Sequence, residues 1–491
     1  MFPFFSSLLL ILAHPPFGIY PLAWVGFLPL FFSIRETTPN RAFLKGFITG
    51  SIFFLGILYW IVYAVVCYGN ISIFLAIFLL FLLIFYLSLY FAIFCYILRI
   101  LPWKHPPLIA AIWVGLEYIR GHLFTGFPWM LLGDSQYRWL TFIQIAEIGG
   151  VYLISFLIMW GNASIFYFIL KKDKKAIANF IFFIIVFVLA LFYGHNRLIF
   201  WQKISFKKPH LKLALIQGNI NQAQKWDPKF QTETIKIYKK LTKKVTQKSI
   251  DLIIWPETAL PFYLQELSPF REEILNLART INTPILTGSP AYEWKGKKIV
   301  YFNRAYLIDK NGKIKGYYDK VHLVPFGEYI PCRKLFPFLS AIASNIGDFT
   351  PGKEMTVLKI DNYLFSVLIC FESIFPELSR EAVRKGAEFL VNITNDAWFG
   401  YTSAPYQHLF MLTLRAIETR RAIPRVANTG FTAFIEPTGH ILKKTKLFKR
   451  DYLIDKIPII HYQTFYVRHG DILCFISLLI LITFTLAFSL K

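Results

Sequence analysis

The chain has 491 residues, 55% of them in the hydrophobic set and 18% aromatic, with a mean hydropathy of +0.48. That is too apolar for a soluble protein of this length, and a membrane protein is predicted. The net charge of +24 would suit nucleic acid or an anionic surface, but lysines flank the apolar runs, so the membrane is the expected partner and no nucleic acid is expected.

The N-terminal "MFPFFSSLLLILAHPPFG" has an apolar core but no preceding basic region and no small-residue cleavage site, so it is not read as a removed signal peptide. Spans are predicted near 2–14, 18–34, 43–66, 72–98, 106–119, 143–169, 177–194 and 472–490, each close to the roughly 20 residues that cross about 30 Å of hydrocarbon. The first is short and ends in His14, Pro15 and Pro16, which leaves it either spanning or re-entrant. Short loops set orientation through their Lys and Arg. Arg35, Arg41 and Lys45, then Arg99 and Lys104, then "KKDKK" at 171–175 place alternate loops in the cytoplasm, whereas "CYGNI" at 67–71 carries no positive charge. Counting forward, the span at 177–194 delivers the following domain to the extracytoplasmic side. Residues 1–200 are thus a predicted transmembrane domain, 211–462 a second domain outside the cytoplasm, and 472–490 a final span.

Residues 229–248 are predicted as an amphipathic helix with Ile235, Tyr238, Leu241 and Val245 as its buried stripe. Its lysine face is read as solvated, with attraction to anionic headgroups as the alternative. From 211 onward, short β-rich runs alternate with helical stretches: "KLALIQGN", "DLIIWPET", "TPILTGSP", "YFNRAYLID", "FSVLICFES", "AEFLVNITND", "IPRVANTG" and "FTAFIEPTG". Several are nearly continuous apolar strands, the pattern of sheets covered on both faces, so an α/β layered domain is predicted.

Five cysteines, Cys67, Cys95, Cys332, Cys370 and Cys474, form no CxxC pair and no regular framework; neither a metal site nor a disulfide scaffold is expected. Only Cys332 and Cys370 lie in the α/β part, and Cys332 is expected to be a buried free thiol. In layered α/β domains, ligands bind just past strand ends. Glu257 follows "DLIIWP", Cys370 ends "FSVLI", Asn395 and Asp396 follow "AEFLVNIT", and Lys320 and Glu328 lie in "YYDKVHLVPFGEYIP". Pro376 and Glu377 suit the first turn of a helix just after Cys370. That placement, with a neighbouring lysine, predicts a thiol pKa depressed below about 8.5. A thiol, a cation and a carboxylate suffice for acyl transfer. On the residues alone each also has an ordinary reading: Cys370 as a core residue ending a strand, Glu257 as a turn cap, Lys320 as a surface lysine. His322, His408 and His440 lack ligand spacing and are read as structural or exposed.

The motifs "QGNINQAQKWDP", "WPETALP", "YDKVHLVPFGEYIP", "ICFESIFPE" and "NITNDAWFG", in this order within this topology, resemble the nitrilase superfamily and, within it, the membrane-bound apolipoprotein N-acyltransferases. The resemblance implies eight spans carrying an αββα sandwich with a Glu-Lys-Cys triad: Glu257 as general base, Lys320 as oxyanion stabiliser, Cys370 as the nucleophile that becomes a thioester. It implies further roles for Glu328 and Glu372 in the active site, for Trp226 on a mobile arm over the substrate entrance, and for Gly126 and Trp129 of "GFPW" near a lipid-facing opening. Trp129 also reads as an interfacial belt tryptophan. Phe371 departs from the family, in which a tyrosine follows the nucleophile. The implied reaction takes a fatty acyl chain from a phospholipid, typically phosphatidylethanolamine, to the N-terminal amino group of a diacylglyceryl-cysteine apolipoprotein. It would occur at the bacterial inner membrane, without cofactor. A membrane-tethered amidase with the same triad is the alternative, and a non-enzymatic transporter or scaffold is disfavoured by the scarcity of ionisable residues in the spans.

Overall fold

The computed structural model describes residues 1–69, 71–100, 105–246, 248–330 and 348–489. Cys332 and Lys104 lie outside them. The N-terminal part is helical: α1 (Phe2–Ala13), α2 (Leu28–Ile34), α3 (Pro39–Leu58), α4 (Trp60–Gly69), α5 (Ile73–Ile100), α6 (Pro106–His122), α7 (Ala146–Lys171) and α8 (Lys174–Lys207). Of these, α3, α5, α7 and α8 are long and apolar enough to cross a membrane. Among the described residues before residue 210 the other apolar helices are shorter than that, so four of the eight predicted spans have helices of spanning length there. The predicted span at 43–66 divides at Tyr59, between α3 and α4. Helix α8 leaves Ile181, Phe182, Ile185, Leu189 and Phe192 exposed, a surface suited to hydrocarbon rather than water.

The C-terminal part holds two six-stranded sheets. The first orders its strands β12-β1-β2-β3-β4-β5 and the second β11-β10-β9-β8-β7-β6. In the first, β1 (His210–Gln217), β2 (Leu252–Ile254) and β3 (Ile285–Lys295) run parallel, while β4 (Lys298–Ile308) and β5 (Ile314–Asp319) return antiparallel. In the second, β7 (Tyr363–Ile369), β8 (Phe389–Thr394) and β9 (Ile423–Ala427) are parallel, with β6 (Val357–Ile360) and β10 (Ala433–Ile435) antiparallel beside them. Strands β11 (Ile441–Lys444) and β12 (Asp451–Pro458) close one edge of each sheet.

Alternation along β1 shows how the layers form, because successive side chains point to opposite faces. Leu213 and Leu215 pack with Val367, Ile369 and Ile393 of the second sheet. Ala214 and Ile216 pack outward against α9 (Gln231–Val245) and α10 (Pro269–Ile281), with Ile235, Tyr238, Leu241 and Val245 forming the predicted stripe. On the far side, α11 (Pro376–Arg384) and α12 (Ala404–Thr419) contribute Ala382, Val383, Leu409 and Leu412 to the core. The order is helix, sheet, sheet, helix.

This domain is fastened to the helical part by buried ions. Arg420, just past α12, donates to Glu147 at 2.7 Å and to the side chain of Gln144 at 2.6 Å. Arg197 and Trp201 of α8 converge on the same Glu147 carboxylate. Glu418, paired with Arg415, accepts from the Val151 backbone at 2.9 Å. Helix α7 breaks at Gly149 and Gly150 at this junction, where a Cβ on Gly150 would lie 2.7 Å from the Tyr466 ring. A last helix, α13 (Ile472–Ser489), packs against α6.

Candidate active site

Parallel strands that end on one side of a sheet present their following residues to a common crevice. Here β2 is followed by Trp255, Pro256 and Glu257, β5 directly by Lys320, β7 directly by Cys370, and β8 by Asn395 and Asp396. The two sheets face each other, so these four ends meet.

Glu257 is buried. Its Oε1 accepts from Asn303 Nδ2 at 2.7 Å and lies 3.9 Å from Lys320 Nζ, while Oε2 accepts from the Asn395 backbone at 2.8 Å. Lys320 is closer to Glu328, at 2.8 Å, and Asn303 donates to Glu328 at 2.9 Å as well. Asn303 is therefore the bridge between the two glutamates, a residue that sequence reading passed over. Its only signal was a polar side chain inside the otherwise apolar run "YFNRAYLID".

The charges are unequal in stability. Burial pushes the Glu257 pKa up, against the attraction of Lys320, so this carboxyl holds a proton more readily than an ordinary glutamate. Burial also works against the Lys320 charge, but Glu328 and Glu257 outweigh it, and its pKa is raised; it stays an ammonium. Glu372 is fully buried and pushed by burial to about 7. It accepts from the Tyr318 hydroxyl and Val321 N–H at 2.7 Å, and from Ile369 N–H at 2.6 Å, and so ties the strand before Cys370 to the segment after Lys320.

Cys370 is half-buried and begins a single 3-10 turn, Cys370–Ile374, before α11 starts at Pro376. The predicted depression of its thiol pKa is not what the surroundings produce. Burial raises it, Glu257 raises it further, and Lys320 opposes them without prevailing. The lysine charge is already spent on two carboxylates, and desolvation of a thiolate outweighs what remains. Cys370 is therefore held as a thiol, within electrostatic reach of the Glu257 carboxylate.

Phe371 follows with its ring stacked on Trp129, edge-on to Phe375 and tilted against Phe127. A hydroxyl is not needed to hold that ring. Trp129 is only 1% exposed, which corrects the interfacial-belt reading: it stacks on Phe371 and on His408, and its indole N–H donates to Gln407 at 2.8 Å. Gly126 acts through its backbone, with φ +74°, where a Cβ would lie 2.1 Å from the Gly121 carbonyl. Trp226 is half exposed beside Lys225, a buried cation that donates to Thr258 at 2.5 Å. Of the three histidines, His408 is buried, His322 is partly buried and His440 is exposed. Among the described residues no group of three or more His, Cys, Asp or Glu is placed to hold a metal ion.

Gly288 makes room for Glu257 by having no side chain. A Cβ there would lie 2.3 Å from Thr258 N and 2.8 Å from Glu257 Cα. Gly288→Ala is expected to lower the melting temperature, because the backbone it meets must shift, and to slow turnover of the folded protein on the order of 10- to 100-fold by displacing the carboxylate; steady-state kinetics beside a thermal melt checks this.

A membrane-embedded helical part carrying a nitrilase-like α/β domain defines a class of membrane enzymes. The profile described as "Apolipoprotein N-acyltransferase N-terminal domain" matches residues 6–164, and "Carbon-nitrogen hydrolase" matches residues 212–464. The chain is 42% identical to an apolipoprotein N-acyltransferase of Geobacter metallireducens, over 95% of this chain and 91% of that one. It is 32% identical to that of Haemophilus influenzae, over 97% and 92%. Among solved structures, an amidase from Nesterenkonia sp. is similar at 18% identity and a TM-score of 0.40, covering 53% of this chain and 92% of that one. The chain belongs to the apolipoprotein N-acyltransferase family.

Proposed function

We propose that this protein transfers a fatty acyl chain from a membrane phospholipid, phosphatidylethanolamine in the first instance, to the N-terminal amino group of a diacylglyceryl-cysteine apolipoprotein. The reaction takes place at the outer face of the bacterial inner membrane. The observation that carries the mechanism is the buried Glu257 carboxylate, 3.9 Å from Lys320 and electrostatically coupled to the Cys370 thiol.

Glu257 takes the thiol proton as sulfur attacks the ester carbonyl. Lys320 Nζ stabilises the oxyanion, helped by the Phe371 backbone N–H. Collapse breaks the ester C–O bond, the lysophospholipid leaves with the proton from Glu257, and the acyl group remains on sulfur. The neutral amine of the acceptor then attacks the thioester, Glu257 receives its proton, and breaking the C–S bond returns the thiol as the amide is released. Glu328 holds Lys320 in place and Glu372 fixes the turn carrying Cys370. Trp226 guards the entrance; Gly126 shapes the loop that brings Trp129 against Phe371, close to where lipid enters. An enzyme working outside the cytoplasm has no ready supply of ATP or acyl-CoA, which favours an ester already in the membrane as donor.

Incubation of detergent-solubilised protein with phosphatidylethanolamine of known chains should add the mass of one acyl group. The adduct should be removable by neutral hydroxylamine, absent from Cys370→Ala, and discharged by a diacylated lipopeptide. Double-reciprocal plots should be parallel. A folded wild-type protein that stays unacylated, or one that releases free fatty acid without N-acylated peptide, would replace this reading with hydrolysis.

A further inference from the structure

The nucleophile sits in a backbone conformation that needs holding. Cys370 has φ +53°, the left-handed region that non-glycine residues avoid because Cβ crowds the carbonyl. Such strain persists where surrounding contacts over-determine it. Two donors meet the Cys370 carbonyl: the Ser373 hydroxyl at 2.9 Å and His408 Nε2 at 3.1 Å. A carbonyl only accepts, so a bond from His408 to it requires the hydrogen on Nε2, which also lies 2.9 Å from the Ser373 hydroxyl.

The far side of the ring meets both a donor and an acceptor. His408 Nδ1 lies 3.0 Å from Arg425 Nη2 and 3.0 Å from Asp396 Oδ1. Arg425 also donates to Asp396 Oδ2 at 2.7 Å and thereby neutralises it. Burial and Arg425 both disfavour a charged ring, so the ring carries one hydrogen: on Nε2 it serves the Cys370 carbonyl and leaves Nδ1 to accept from Arg425, and on Nδ1 it serves Asp396 and leaves Nε2 to accept from Ser373. Thr394 completes the set of polar groups by donating to Asp396 at 2.9 Å. Trp129 and Phe399 close the remaining faces with apolar rings. The neighbouring Gln407 accepts the indole N–H groups of Trp129, at 2.8 Å, and Trp60, at 3.2 Å, so the helical part clamps the same turn of α12.

We propose that His408, in its Nε2–H form, is a positioning residue for acyl transfer: together with Ser373 it brackets the Cys370 carbonyl and fixes the left-handed backbone that aims the thiol between Glu257 and Lys320. This rests on Cys370 being the nucleophile. Its signature is a loss in the rate of acylation without a loss in phospholipid binding.

The test uses the full-length protein and follows acyl-enzyme formation by intact mass over a range of phosphatidylethanolamine concentrations. His408→Ala is expected to slow acylation at saturation on the order of 10- to 100-fold while the half-saturating lipid concentration stays within about twofold. His408→Gln, whose amide N–H reaches the same carbonyl, is expected to restore most of the rate. A merely structural histidine would be rescued no better by Gln than by Ala. Wild-type rates in folded His408→Ala, or equal rates in the Ala and Gln variants, would overturn the proposal. If His408→Ala does not fold, Ser373→Ala decides: a severalfold slower acylation supports the bracket, and an unchanged rate rejects it. Cys370→Ala run in parallel separates the two readings, because an adduct that survives it would remove the nucleophile assignment itself.

Discussion

Glu257→Gln is expected to lower the rate of acyl-enzyme formation about 10³-fold, within the 10²- to 10⁴-fold range of general base catalysis, and to leave phospholipid binding intact. The amide preserves the shape of the side chain and one acceptor oxygen for Asn303 or the Asn395 backbone, so what it removes is the proton acceptor. The loss is large because the Cys370 thiol is held protonated by its surroundings; without a base, attack depends on the rare thiolate. Stability should move the other way or not at all. A carboxyl whose pKa is raised in the fold costs stability at any pH where it is ionised, and Lys320 keeps Glu328 as its closer partner. Single-turnover acylation by mass spectrometry, beside a thermal melt, reads both. A Gln variant acylating within tenfold of wild type would show that another group takes the proton.

The same direction of shift sets the pH profile. A base must be unprotonated to act, and its pKa in the fold is raised above 4.5. Activity is therefore expected to fall as pH drops through a value above the ordinary glutamate range. Glu257→Gln should flatten that limb.

The residues that ended apolar strands were legible because chain topology, not side-chain chemistry, decides what lies at a sheet's edge. Glu257, Lys320, Cys370 and Asn395 each follow a strand that could be read from its own composition, apart from β5, whose "IKGYYD" mixes charge with aromatic residues. Strands β6, β11 and β12 were missed for the same reason. They lie at sheet edges and expose Lys359, Leu442, Lys443 and Asp451, so their composition alternates or turns polar where that of the central strands does not. The break at Tyr59 carries no Pro or Gly at that position. Electrostatics failed furthest. A lysine near a cysteine suggests a low thiol pKa only if its charge is free, and nothing in the linear order says that Asn303 gathers Glu257 and Glu328 around Lys320 first.

That gathering makes Lys320→Met the second large effect. Loss of the oxyanion donor alone is expected to cost about 10²- to 10³-fold in acylation. A second loss follows from the carboxylates: Glu257 and Glu328 would share the Asn303 amide with no cation between them. Two like charges in a buried site do not both stay ionised, so one takes a proton. Where that proton settles on Glu257, the base is disabled as well. The acid limb of whatever activity remains should then move to higher pH than in wild type, a displacement that loss of the oxyanion donor alone would not produce. Lys320→Met with Glu328→Gln separates the two contributions: removing the second carboxylate should return the limb toward its original position while the oxyanion deficit remains. If the limb of Lys320→Met coincides with that of wild type, the lysine acts on the transition state alone and the coupling of the two glutamates through it is wrong.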